Sequence, residues 1–379
     1  MRAWIAGIMA AVLVLGAAVP VWGAEEYAGK AVVLMEASTG TVLYERNAHE
    51  PLSPASVTKV MTLLLIMEAI DGGLLRWDDP VTASAAAAAK GGSQVYLKEG
   101  ETMTVEEMVK SIAVSSANDC ACAMAELLAG SEAAFVVQMN EKARQLGMED
   151  TCFVNCTGLD DAPEAREHKT SAYDIALMSR ELLTGHPDIK KYTTIWMDSV
   201  RSGAFGLSNT NQLIRFYSGA TGLKTGFTRT AGYCLSASAC RDGMELIAVT
   251  LGCETSKDRF ASCRGLLDWG FASYALFELP QEERTVPVEL GRQDRVEVQP
   301  AQPVRTLVEK RQLNAVEVQT VLAESVAAPV SAGQKLGEVT LRCEGQILQV
   351  IPLVAAQPVE RLRFGDLFRE LLGMVCMAG

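Results

Sequence analysis

The chain has 379 residues, more than one ordinary domain needs, so a large core and a small core are the natural expectation. With 49% apolar and 21% charged residues it is too apolar for a disordered chain. Its formal net charge of −12, with no cluster of Lys and Arg, argues against a nucleic-acid partner.

In chain order, Arg2 followed by an apolar stretch to Val19, then Pro20 and the small residues Val21 and Gly23, reads as a secretory signal over 1–23, cleaved after Gly23. That places the rest of the chain outside the cytoplasm. Ala31 to Glu36 and Thr41 to Tyr44, joined by Ser38-Thr39-Gly40, predict a hairpin. Ser53-Pro54 predicts a helix start, with Ser53 as N-cap and Pro54 at the first helical position. Val60 to Ile70 then runs on as a helix apolar on nearly all sides, which must be buried.

From Thr104 to Leu183 the spacing is helical, over Glu106 to Val114, Asn118 to Leu128, Glu132 to Leu146 and Ala172 to Leu183. Short β-prone runs follow from Thr221 to Leu251, then a helix from Gly265 to Phe277. Strands at both ends with helices between predict an α+β domain over 24–280, its sheet assembled from distant segments. Val288 to Leu353 alternates apolar and charged residues, the pattern of a small all-β domain over 281–357. In the tail, 358–379, Phe364, Leu367, Phe368, Leu371, Leu372 and Val375 fall on one helical face beside Arg361, Arg363 and Arg369. This is the pattern of an amphipathic helix lying on a membrane surface.

The ten cysteines are scattered through apolar segments and predict mostly buried thiols. His49, His168 and His186 do not complete a zinc pattern with them, so no metal and no other cofactor is expected.

Three short motifs carry the chemistry: Ser56-Val57-Thr58-Lys59, Ser116-Ala117-Asn118 and Lys224-Thr225-Gly226. Residues three apart on a helix share a face, so Lys59 can reach Ser56, and a neutral amine can take the proton of an otherwise poor nucleophile. Ser116 can relay a proton to a leaving amine, and Asn118 can bond both Lys59 and a substrate amide. Lys224 supplies positive charge from the opposite wall. Thr225 and Gly226 suit an edge strand, and the backbone N–H groups of Ser56 and Phe227 suit an oxyanion hole. Without the other motifs, Ser116 and Asn118 would be read as helix caps.

With Ser53-Pro54-Ala55 before the first motif, Asp119 after the second, Asn209-Thr210-Asn211, and Gly222-Leu223 to Thr228 followed by Ala231-Gly232-Tyr233, the sequence resembles one known family. It is that of the low-molecular-mass penicillin-binding proteins of the D-alanyl-D-alanine carboxypeptidase type, serine peptidase family S11. The resemblance covers most of 27–277 and, more loosely, the β domain and tail. It implies a penicillin-binding, β-lactamase-like catalytic fold with a helical lobe. It further implies acylation of Ser56 by peptidoglycan pentapeptides ending in D-Ala-D-Ala, inhibition by β-lactams, and a place on the outer face of the cytoplasmic membrane. Arg259 matches the family's carboxylate-binding arginine. Thr210 and Phe227 stand where some members have Arg and His, which bears on substrate preference. Ala117, where class A β-lactamases have Asp, and the added β domain count against a β-lactamase; the full motif set counts against a catalytically silent binding protein.

Overall fold

The computed structural model describes residues 27–280 and 282–365. The predicted hairpin is β1 (Ala31–Glu36) and β2 (Val42–Arg46), and the later runs are β3 (Ala220–Thr228), β4 (Gly232–Arg241) and β5 (Met244–Cys253). They form one antiparallel sheet in the order β2-β1-β5-β4-β3, joining the two ends of the larger domain and leaving β3 at an edge.

β1 and β5 are apolar almost throughout because both faces of the sheet are covered. Val33 and Met35, with Ile247 and Val249, face the helical lobe; Val32 and Leu34, with Leu246 and Ala248, face the long helix after the sheet. The lobe consists of α1 (Lys59–Asp71), α2 (Val105–Ser115), α3 (Asn118–Ala129), α4 (Glu132–Gln145) and α5 (Ala172–Gly185), close to the predicted bounds. α1 is buried on all sides from Lys59 to Leu64, as its apolar run requires.

Two elements differ from expectation. Ser53 and Pro54 do not open an α-helix: a 3₁₀ turn, Ala55–Thr58, precedes α1, and Ala55 takes a left-handed φ of 48°. The crowding around this turn, described below, bends the chain at that point. The helix after the sheet, α6 (Ser256–Ser273), starts earlier than Gly265 because Thr255 and Asp258 form a capping box. The chain leaves it at Tyr274 to form β6 (Tyr274–Glu278).

β6 pairs with β9 (Arg305–Glu309), a strand beyond the predicted domain boundary, and this ribbon links the two cores. Leu276 and Leu307 pack on the larger domain, whereas Phe277 and Leu279 pack on the small one. The small domain also has β7 (Thr285–Glu289), β8 (Arg295–Pro300), β10 (Val316–Leu322), β11 (Val326–Ala327), β12 (Lys335–Cys343) and β13 (Gln346–Ala355), in one sheet ordered β10-β12-β13-β8-β7-β11. Val359 and Arg361 bridge to Val330 and Gly291, so the start of segment 358–379 lies on this domain. The predicted signal segment, 1–23, and the tail from 366 lie outside the described residues. None of the nine described cysteines is in a disulfide, and seven are buried. Among the described residues no single helix is long and apolar enough to cross a membrane.

Candidate active site

The 3₁₀ turn decides the geometry of the first motif. In a 3₁₀ helix residues i and i+3 eclipse, which stacks Lys59 over Ser56 more directly than an α-helix would. Lys59 Nζ donates to Ser56 Oγ at 2.9 Å and to the Thr157 carbonyl at 2.7 Å. Lys59 has no exposed surface, and burial pulls its pKa from 10.5 down to about 7, partly offset by Cys156 and Asp119. A buried amine that loses its proton near neutrality suits a general base.

The second motif sits in the sharp turn between α2 and α3. Ser116 is the C-cap of α2 in a left-handed conformation, φ 63°, and Ala117 is the N-cap of α3 without a side-chain cap bond. Neither Ser116 nor Asn118 therefore acts as an N-cap. Asn118 Nδ2 donates to the Gly91 carbonyl at 2.7 Å, while its buried Oδ1 has no partner. That lone acceptor awaits an N–H donor. Lys59 gives its hydrogen bonds to Ser56 and Thr157, not to Asn118. Asp119, which follows the motif, accepts from the backbone N–H groups of Val95 and Leu97 and holds the loop beside the cleft.

The third motif lies on edge strand β3. A Cβ on Gly226 would fall 2.7 Å from the Pro54 carbonyl oxygen and 3.1 Å from Ser56 N, so only glycine lets the strand run this close to the Ser56 turn. Thr225 Oγ1 donates to Thr210 Oγ1 at 2.7 Å, and Thr210 N donates to the Val114 carbonyl, which ties β3 to the end of α2. Lys224 Nζ donates to the Thr225 carbonyl at 2.8 Å. Burial above all, then the charges of Lys59 and Arg259, hold its pKa well below the ordinary value. An arriving anion would restore its charge.

Arg259 is buried on α6, where Nη1 donates to the carbonyls of Gly226 (2.9 Å) and Cys234 (3.3 Å) and the guanidinium lies over Tyr233 and Phe260. It is thus docked on the strand that carries the motif, with Nε unpartnered. Phe227 is 52% exposed at the open edge, stacked on Tyr233.

Several residues that position the motifs have no motif of their own. Thr157, Gly158 and His168 come from the 152–170 connection, and only folding brings that segment against the turn that carries Ser56. Among the described residues, Glu68, Glu181 and His186 place ligand atoms within 4.8 Å of one another near the C-terminal ends of α1 and α5. Lys142 already pairs with Glu68, and Asp71 with His186.

A family profile described as D-alanyl-D-alanine carboxypeptidase matches residues 18–255, and one described as the C-terminal domain of penicillin-binding protein 5 matches 271–361. D-alanyl-D-alanine carboxypeptidase DacF of Bacillus subtilis is 42% identical over 351 residues, covering 91% of this chain and 89% of the relative. DacA of Escherichia coli is 32% identical over 371 residues, covering 94% and 88%. The fold is similar to penicillin-binding protein 5 from Haemophilus influenzae, with a TM-score of 0.75 and 27% identity over 90% of this chain and 100% of that one. It is also similar to penicillin-binding protein D2 from Listeria monocytogenes in the ampicillin-bound form, with a TM-score of 0.59 and 32% identity over 65% and 98%.

Proposed function

The chain belongs to the D-alanyl-D-alanine carboxypeptidase family of serine peptidases, S11, and from that premise we propose that it trims stem peptides through an acyl-enzyme on Ser56. The observation that carries this reading is the buried Lys59 amine 2.9 Å from Ser56 Oγ.

Neutral Lys59 takes the hydroxyl proton as Ser56 Oγ attacks the carbonyl of the penultimate D-alanine. The oxyanion forms between the backbone N–H groups of Ser56 and Phe227, with Gly226 giving the close approach of the two segments. On collapse the C–N bond breaks; Ser116 gives its hydroxyl proton to the departing D-alanine amine and takes from Lys59 the proton that came from Ser56, which returns Lys59 to its neutral form. The unpartnered Asn118 Oδ1 accepts a peptide N–H of the substrate, which lies along the open edge of β3. The terminal carboxylate meets Lys224 and, through the strand it braces, Arg259. Water then hydrolyses the ester and frees the serine. A β-lactam acylates the same oxygen, but its amine stays tethered and deacylation is slow.

The mature enzyme, on this reading, faces the cell wall from the outer side of the cytoplasmic membrane. What supports this is the leader-like segment before Ala24 and the one-sided apolar spacing of the tail. The function is tested by labelling with fluorescent penicillin: wild-type protein is labelled covalently and Ser56→Ala is not. Covalent labelling of the mutant refutes the assignment, and rapid turnover of penicillin G favours a β-lactamase.

A further inference from the structure

The residue just before the nucleophile is held in an unfavourable conformation. Ala55, fully buried, has φ 48°, a left-handed value unfavourable for a residue with a Cβ, which persists only where the surroundings impose it. Its carbonyl shows what imposes it. Thr58 Oγ1 donates to Ala55 O at 2.8 Å, and Gly158 lies so close that a Cβ there would overlap the same oxygen.

Thr58 is held in turn by His168. Val154 N–H donates to His168 Nδ1 at 3.0 Å, so the neutral ring carries its proton on Nε2 and gives it to Thr58 Oγ1 at 2.8 Å. With that lone pair filled, the threonine hydroxyl directs its own proton to Ala55. The ring is 2% exposed, and burial, with the nearby charges of Lys169 and Lys59, lowers its pKa to about 4. It is therefore a neutral donor wherever the enzyme works.

We propose that His168 is a positioning residue for the nucleophile, acting through the chain His168 Nε2–H to Thr58 Oγ1 to Ala55 O to aim Ser56 at Lys59 and the oxyanion site. The same 152–170 segment supplies the Thr157 carbonyl to Lys59 and the Cys156 carbonyl to Thr62. His168 thus registers that segment against the nucleophile turn at a third point. A misplacement of about 1 Å at a reacting centre costs about 100-fold, so a looser turn reads out in the rate and not in the affinity.

The inference rests on Ser56 being the acylated residue, which the Ser56→Ala comparison tests separately; the contrast between two His168 variants tests the chain. Glutamine places an N–H where Nε2 stands, whereas asparagine places its oxygen where Nδ1 stands and cannot reach Thr58. Acylation by penicillin, measured by stopped flow, is expected to slow about 10- to 100-fold in His168→Asn with the noncovalent dissociation constant unchanged. His168→Gln is expected to stay within about threefold of wild type. Thr58→Val, which keeps the branched shape and removes the hydroxyl, is expected to match the Asn variant, and the double mutant to add nothing further. Equal losses in Asn and Gln, or a folded Thr58→Val protein that acylates at the wild-type rate, would overturn the proposal.

Discussion

Lys59→Met separates what the amine does for chemistry from what it costs the fold. Methionine has a similar length and no charge, so it fills the same space. In the folded protein the amine titrates at about 7 against 10.5 for an ordinary lysine, which opposes folding by about 5 kcal/mol wherever both states are protonated. The mutation removes that cost but leaves the Thr157 carbonyl without its donor, a loss of about 1–3 kcal/mol. The variant is therefore expected to be about 2–4 kcal/mol more stable than wild type at pH 6, a rise in Tm of roughly 5–15 °C. Acylation by penicillin should meanwhile fall about 1000-fold or more.

The pH dependence fixes the sign. Because the folded pKa is depressed, the unfolded chain binds more protons between about pH 7 and 10.5, so wild-type stability rises across that window. The advantage of the variant should be constant below pH 7 and shrink to about 1 kcal/mol lost relative to wild type, or to parity, by about pH 9.5. Differential scanning calorimetry on both proteins at pH 6 and 9.5 measures this. A variant less stable at pH 6, or a gap that does not narrow, would show that the buried amine is not driven toward neutrality, and the general-base argument would fall with it.

Three further outcomes follow from the geometry. Gly226→Ala should slow acylation about 10- to 100-fold, since its Cβ must push β3 away from the Pro54 carbonyl 2.7 Å distant; an unchanged acylation rate would mean the strand need not approach so closely. A peptide amide should react more slowly than the free acid, and Arg259→Ala should lower the acid rate selectively in steady-state assays. Equal losses for acid and amide would assign Arg259 only to bracing the Gly226 and Cys234 carbonyls. Deleting 366–379, beyond the pairing of Leu362 with Leu290, should release a penicillin-binding enzyme from the membrane fraction; full retention there would refute the tail as anchor.

The sequence by itself determined the local and chemical content of this protein. Ser56 and Lys59 are three apart in a segment leading to an almost wholly apolar helix, so a buried amine beside a serine followed from spacing and burial alone. The continuous apolar runs of β1 and β5 required a sheet covered on both faces, and the alternation after Val288 required a half-exposed one. The tertiary structure decided what depends on contacts between distant segments. Ala55 is an ordinary residue with no local reason for a positive φ, and Ser53-Pro54 is a good helix start; what turns the chain there is the packing of Gly158 and Thr58 on the Ala55 carbonyl and of Gly226 on the Pro54 carbonyl and the Ser56 N–H. His168 lies 110 residues from the threonine it holds, and its role was invisible because a hydrogen bond carries no sequence periodicity. Arg259 could be picked out as a cation, but its placement behind β3, spent on two strand carbonyls, is set by how α6 packs across the sheet.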